Sequence, residues 1–154
     1  VTSGGSSQIS PQHDPTWEVI VKTGASVADV RIWLVLTESN PTDSDDYANE
    51  RIGFRYSTVV PDGGWVGVTR DSAGTQSVTA TVATIAANTV YKLKVRKSGS
   101  TIYFSVNDGT EVAKTTNLPD ATSELFWSLQ WFTQAAAAKT LTWYRHYVRF
   151  GISA

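Results

Sequence analysis

Cysteine and methionine are both absent from the 154 residues, and histidine occurs only twice. Without thiols there is no disulfide, no thiolate nucleophile and no cysteine-ligated zinc. The two histidines, His13 and His146, stand far apart, so there is no paired-histidine metal motif either. Charge of one sign is also lacking: 13 Lys and Arg face 14 Asp and Glu, a formal net charge of −1. That balance gives no electrostatic reason to expect nucleic acid as a partner. No apolar run approaches the roughly 18 residues of a membrane span, so membrane insertion is not expected. Phosphate loops and nucleophile elbows do not occur. A chain that opens on Val1 and holds no Met reads as a processed product or a piece excised from a longer protein.

What is present is strand alternation. In Tyr91-Lys92-Leu93-Lys94-Val95-Arg96 every second residue is apolar and the residues between are cationic, the pattern of a half-buried strand with a solvated face. Ile102, Phe104 and Val106 continue it after a Gly99-containing connection, which predicts a hairpin, and Asn107-Asp108-Gly109 turns the chain toward a short strand at Val112. Ile32, Leu34 and Leu36 share one face, as do Ile52, Phe54 and Tyr56, and Leu125, Trp127, Leu129 and Trp131. For Trp65-Val-Gly-Val-Thr69 the count places Val66 and Val68 inward and Trp65 outward. Trp17, Val19 and Val21 compete with Ile20 for the core, and Leu141 to Phe150 is a closing aromatic strand. Gln134 to Lys139 is too short for a stable helix and reads as a connection. With nine to eleven strands and no long helix, the chain predicts an all-β, two-sheet antiparallel sandwich. Residues 15–154 form the single domain, and 1–14, rich in Ser, Gly and Thr, form a flexible tail or linker.

The run from Tyr91 to Val95, followed by Ile102-Tyr-Phe-Ser-Val-Asn-Asp-Gly109, Val112-Ala and Thr115-Thr-Asn-Leu-Pro119, resembles the laminin-G-like and concanavalin-A-like jelly rolls. Within that superfamily it is most similar to the modules of bacteriophage virion proteins. Arg31-Ile-Trp-Leu-Val-Leu-Thr37, Gly53-Phe-Arg-Tyr-Ser57, Gly64-Trp-Val-Gly-Val-Thr69 and Ala138-Lys-Thr-Leu141 extend the similarity over residues 16–150. The resemblance implies a non-catalytic module on a virion surface, outside the cell, serving attachment or display in a fibre, spike or capsid decoration. Its partners would be further copies of itself, other virion proteins or a cell-surface glycan. The alternative is a free-standing carbohydrate-binding module of a secreted glycan-active protein.

A polysaccharide lyase or glycosidase ranks below both. A glycosidase needs two carboxyl groups about 5–9 Å apart, which a strand supplies as Glu-x-Asp-x-Glu, and no strand here carries that pattern. Glu18 stands alone. His146 and Tyr144 are the nearest approach to a lyase group, and no catalytic residue is assigned. For ligand or partner contact the candidates are Trp33, Arg55 and Trp65, which alternation sets opposite the core sets. A flat indole suits the CH face of a sugar or another protein chain. The same residues are also what a covering loop or second subunit would bury. Asp43, Asp45, Asp46 and Glu50 concentrate hard oxygen donors in one polar loop, the donor type for calcium, although their spacing is not that of an EF-hand.

Overall fold

The structure, a computed structural model, describes residues 2–4, 8–136 and 138–150. Its strands in chain order are β1 (Thr2–Gly4), β2 (Thr16–Thr23), β3 (Val30–Thr37), β4 (Arg51–Ser57), β5 (Trp65–Arg70), β6 (Gln76–Ala83), β7 (Val90–Ser98), β8 (Thr101–Val106), β9 (Val112–Lys114), β10 (Phe126–Thr133) and β11 (Leu141–Arg149). They form a six-stranded sheet of order β1-β10-β3-β4-β5-β6 and a five-stranded sheet of order β11-β2-β7-β8-β9. Every pairing is antiparallel. The all-β sandwich expected from alternation is therefore the fold.

The hairpin β7–β8 shows how local pattern becomes packing. Val95 lies opposite Phe104 and Leu93 opposite Val106, all buried, while Lys92, Lys94 and Arg96 lie on the other side. Gly99 takes a φ of +56° in the connection, and Asn107 and Asp108 take +53° and +56° in the next turn, values that favour these residue types. In β2 the ambiguity resolves toward Trp17, Val19 and Val21, each fully buried, with Ile20 on the outer side. The larger set wins because it meets the opposite sheet.

Two expectations are corrected. Part of the segment read as a flexible tail belongs to the sandwich: Thr2–Gly4 pairs with β10, and Ile9 exchanges both backbone hydrogen bonds with Leu125. Ile9 and Pro11 are buried, Pro11 opening a single 3-10 turn through His13. Two apolar residues suffice here because β10 would otherwise offer an unpaired ladder edge.

The second correction is the facing of β5. Gly67 pairs with Phe54 on the core side, so Trp65 points into the core and Val66 and Val68 point out. Trp65 meets Tyr91 and Tyr56, with ring centroids 5.8 and 6.3 Å away. The alternation was real, but Gly67 carries no side chain and hid the inward set. That gap is filled from the other sheet: a Cβ on Gly67 would lie 2.5 Å from the Phe104 ring. Gly67→Ala is accordingly expected to destabilise the domain by about 1–3 kcal/mol through overpacking. Urea unfolding would measure this, and an unchanged midpoint would show that Phe104 has room to retreat.

Candidate functional site

The outer face of the six-stranded sheet is not open. Trp33, Val35, Val66 and Val68 form a second apolar cluster with Tyr47, which comes from the loop between β3 and β4. Trp33 is 0 % exposed, its indole N–H donates to the Ser44 carbonyl at 3.3 Å, and the Tyr47 ring stands edge-on at 5.2 Å. The guanidinium groups of Arg51 and Arg55 lie 5.3 and 5.6 Å from its ring centroid. Arg55, also buried, donates twice to Asp62 at 2.9 and 2.6 Å and once to the Asp45 carbonyl at 2.6 Å. Of the three ligand-contact candidates, then, Trp33 and Arg55 are held together under the chain's own loop, and Trp65 is on the opposite side in the core. None presents a surface to a ligand.

The acidic loop is explained by the same cover. Arg31 forks onto Asp45 with two 2.8 Å bonds and also pairs with Asp43. Asp46 pairs with both Arg51 and Arg70. Glu50 turns elsewhere, accepting from the Asp120 backbone N–H at 3.3 Å and from the Ser123 hydroxyl. Calcium asks for six to eight converging oxygens. Here three carboxylates already neutralise arginines and the fourth is separate, and no suitable acidic or histidine cluster exists among the described residues. The residues present do not fit that cation.

These pairs set a pH dependence. Burial alone would raise the Asp45 carboxyl, but hydrogen bonds from Arg31 and Ser57 and the charges of Arg31 and Arg55 outweigh it and hold the carboxyl below its ordinary 3.8. A depressed folded-state value stabilises the fold above the unfolded value and is lost as pH falls through the folded one. Amide exchange across residues 38–50 is therefore expected to stay slow from neutrality down to about pH 4 and to accelerate only in stronger acid. Early acceleration near pH 6 would show that the loop is held by something other than these carboxylates.

The accessible aromatic surface lies on β11. Trp143 and His146 stand opposite Val21 and Val19, hence on the inward side, and a bulge at Tyr144 re-aims the strand between them. As an edge strand, β11 leaves this inward side open along the flank of the sandwich. Trp143 is 40 % exposed, Tyr144 55 % and Phe150 51 %. Trp143 stacks on His146 at 5.5 Å between centroids, and both rest on Trp127 from the other sheet, at 5.3 and 4.0 Å. At the far end Phe150 meets His13 edge-on at 6.2 Å, beside a cavity of about 570 Å³ lined by Gln8, Ser10, Gln12, His13, Glu124 and Phe150. From Trp143 to Phe150 the strip runs about 20 Å. His146 Nδ1 is buried with no hydrogen-bond partner, and burial pushes the imidazole below the usual histidine range, leaving it neutral at pH 7.

Sequence alone sets His146 beside Tyr144 and does not join it to Trp143 and Trp127. No local pattern carries that join, because it depends on which edge of one sheet faces which strand of the other. A detectable signal was the density of aromatics in Leu141–Arg149, more than a buried edge strand needs.

No protein-family model and no curated protein sequence matches the chain. Solved structures do share its architecture. The β-glucanase of Bacillus licheniformis overlays with a TM-score of 0.68 at 13% identity, covering 99% of this chain and 71% of its own. An alginate lyase of Pseudomonas aeruginosa gives 0.65 at 15% identity, over 94% and 68%. Sheep galectin-11 gives 0.61 at 12% identity, over 97% and 96%. At such identities the likeness establishes the fold alone, a concanavalin-A-like jelly roll. It also corrects the expectation that the chain is not an enzyme: a β-glucanase and an alginate lyase have this fold across nearly all of its length. The missing Glu-x-Asp-x-Glu strand is no ground for setting catalysis aside. None of these three is a bacteriophage protein, and a virion setting draws no support from them.

Proposed function

We propose that the domain engages carbohydrate along the β11 flank, as a carbohydrate-binding module of a glycan-active protein. The observation that carries this reading is Trp143, a 40 % exposed indole backed by His146 and Trp127, with a polar-rimmed cavity further along the same strand. An aromatic plate fixed from behind gives a sugar ring an apolar face at small entropic cost. Gln8, Gln12 and Glu124 supply the amide and carboxylate groups that hydroxyls need. The glycan-directed names of the structural neighbours agree with it. The virion setting adds nothing to this argument.

The test is a glycan array followed by calorimetry on the strongest neutral hit. Trp143→Ala is expected to weaken binding by about 2 kcal/mol, roughly thirtyfold, with the melting temperature little changed. Unchanged affinity would remove the proposal. A second reading, cleavage of the bound glycan, is favoured by the place of His146, stacked directly behind Trp143 with its Nδ1 unpartnered and burial holding the imidazole below the usual histidine range. New reducing ends or unsaturated uronate products that vanish in His146→Ala would support it, and their absence on every bound glycan would discard it.

A further inference from the structure

The near-zero net charge conceals a polarised surface. On the outer face of the five-stranded sheet the register sets Arg145, Ile20 and Lys92 in one row, Tyr147, Glu18 and Lys94 in the next, and Arg149, Thr16, Arg96 and Tyr103 in a third, with Lys22 beside them. Six cations thus share a face whose only strand-borne acid is Glu18, in a chain of formal charge −1. Glu18 is buried at the centre beneath its neighbours and bonded to the Tyr147 hydroxyl. Lys92 and Arg96 are answered at the rim by Asp108 and Glu111. Lys22 and Arg145 have no ionic or hydrogen-bonded partner among the described residues, and Lys94 makes no ion pair there, its charge acting on Glu111 from farther off. Arg145 and Arg149 are exposed and Lys22 and Lys94 half-buried, in contrast to the sealed face opposite.

We infer that this face is a contact surface for a polyanionic glycan, one bearing carboxylate or sulfate groups, gripped by Lys22, Lys94, Arg145 and Arg149. Six cations against one buried acid on this sheet face form a local positive field that attracts a polyanion despite the chain's balanced total. The ring faces argue against a nucleic acid. Single strands bind by stacking bases on free aromatic planes. Here Tyr103 and Tyr147 are already occupied by the guanidinium groups of Arg96 and Arg149, 4.1 and 5.1 Å from their centroids. Choosing a glycan among polyanions rests on the carbohydrate reading of the β11 flank. β11 joins the two surfaces, carrying Trp143 on one side and Arg145 and Arg149 on the other, so one polymer can lie across both.

The experiment compares the whole domain with the triple variant Lys22→Gln, Lys94→Gln, Arg145→Gln, and separately with Trp143→Ala. The probes are polyguluronate, dextran sulfate, a neutral β-glucan and a single-stranded DNA oligonucleotide. The triple variant is expected to lose roughly tenfold in affinity for polyguluronate or dextran sulfate, the size three exposed ionic contacts supply together, and to flatten the salt dependence. Its neutral-glucan affinity and melting temperature stay as in the parent. Carboxylate and sulfate sources are separated by which of the two polymers shows the loss. Unchanged affinity for both acidic polymers overturns the inference. DNA binding as tight as that of either polymer overturns the choice of glycan. Loss of neutral-glucan binding in Trp143→Ala with the charge effect intact supports both readings. If Trp143→Ala leaves neutral-glucan binding untouched while the charge effect persists, the β11 reading falls and the cationic face stands.

Discussion

Trp33→Ala is expected to remove about 3–5 kcal/mol of folding free energy, the range for deleting a buried Trp side chain. Against a typical domain stability of about 5–15 kcal/mol this is roughly a fifth or more of the total. The indole touches four things that the sequence places far apart: the Ser44 carbonyl, the Tyr47 ring and the guanidinium groups of Arg51 and Arg55. Its loss leaves the β3–β4 loop without the apolar anchor that seats Tyr47. Denaturant unfolding should show the drop, and amide exchange should place the first loosening between residues 38 and 50. A loss below about 1 kcal/mol, accompanied by weaker glycan binding, would restore Trp33 as a ligand-facing plate.

Arg51→Ala is expected to cost as much, about 3–5 kcal/mol, because it strands buried hydrogen-bond acceptors. Arg51 is 0 % exposed, donates to the Tyr47 and Asn49 carbonyls at 2.5 and 2.9 Å, pairs with Asp46 and lies 3.9 Å over the Tyr47 ring. Truncation strands those two carbonyls and opens a cavity beneath the loop. Arg51→Lys should recover little, because an ammonium cannot serve the two carbonyls from one nitrogen and Asp46 and Gln76 from another, nor stack flat on a ring. Full stability in the lysine variant would mean that charge alone matters. Since Trp33 and Arg51 share Tyr47, the double variant should lose less than the two single losses together.

These residues also show where sequence reasoning stops. Alternation assigned Trp33 and Arg55 to the face away from Leu34 and Phe54, and that is where they are. What it could not supply is the third layer: nothing in the periodicity of β3 or β4 says that a polar loop folds back and covers that face. The clue is compositional, an acidic loop lying between strands rich in arginine, a pattern that serves ion pairing as well as it suggests calcium. At β5 the failure was different, because Gly67 contributes no side chain to the inward set and two valines outvoted one tryptophan. The β11 site was legible only as an excess of aromatics. Its geometry depends on a bulge at Tyr144 and on the meeting of a sheet edge with Trp127, both products of tertiary assembly. By contrast, the β7–β8 hairpin, the turn at Asn107 and Asp108, and the two-sheet class were all readable, since each rests on contacts local in sequence or on a strict period of two.

The loop over the six-stranded sheet has a mechanical meaning as well. Its carboxylates grip Arg31 on β3, Arg51 on β4 and Arg70 on β5, so it braces three neighbouring strands from outside the ladder. Tension across that sheet must break ion pairs and backbone bonds together. Among the described residues β11 has no such brace: one neighbour, β2, holds it, and the bulge interrupts that ladder. Under load β11 is expected to part from β2 before β3, β4 and β5 separate, carrying away the Trp143 plate proposed to hold carbohydrate.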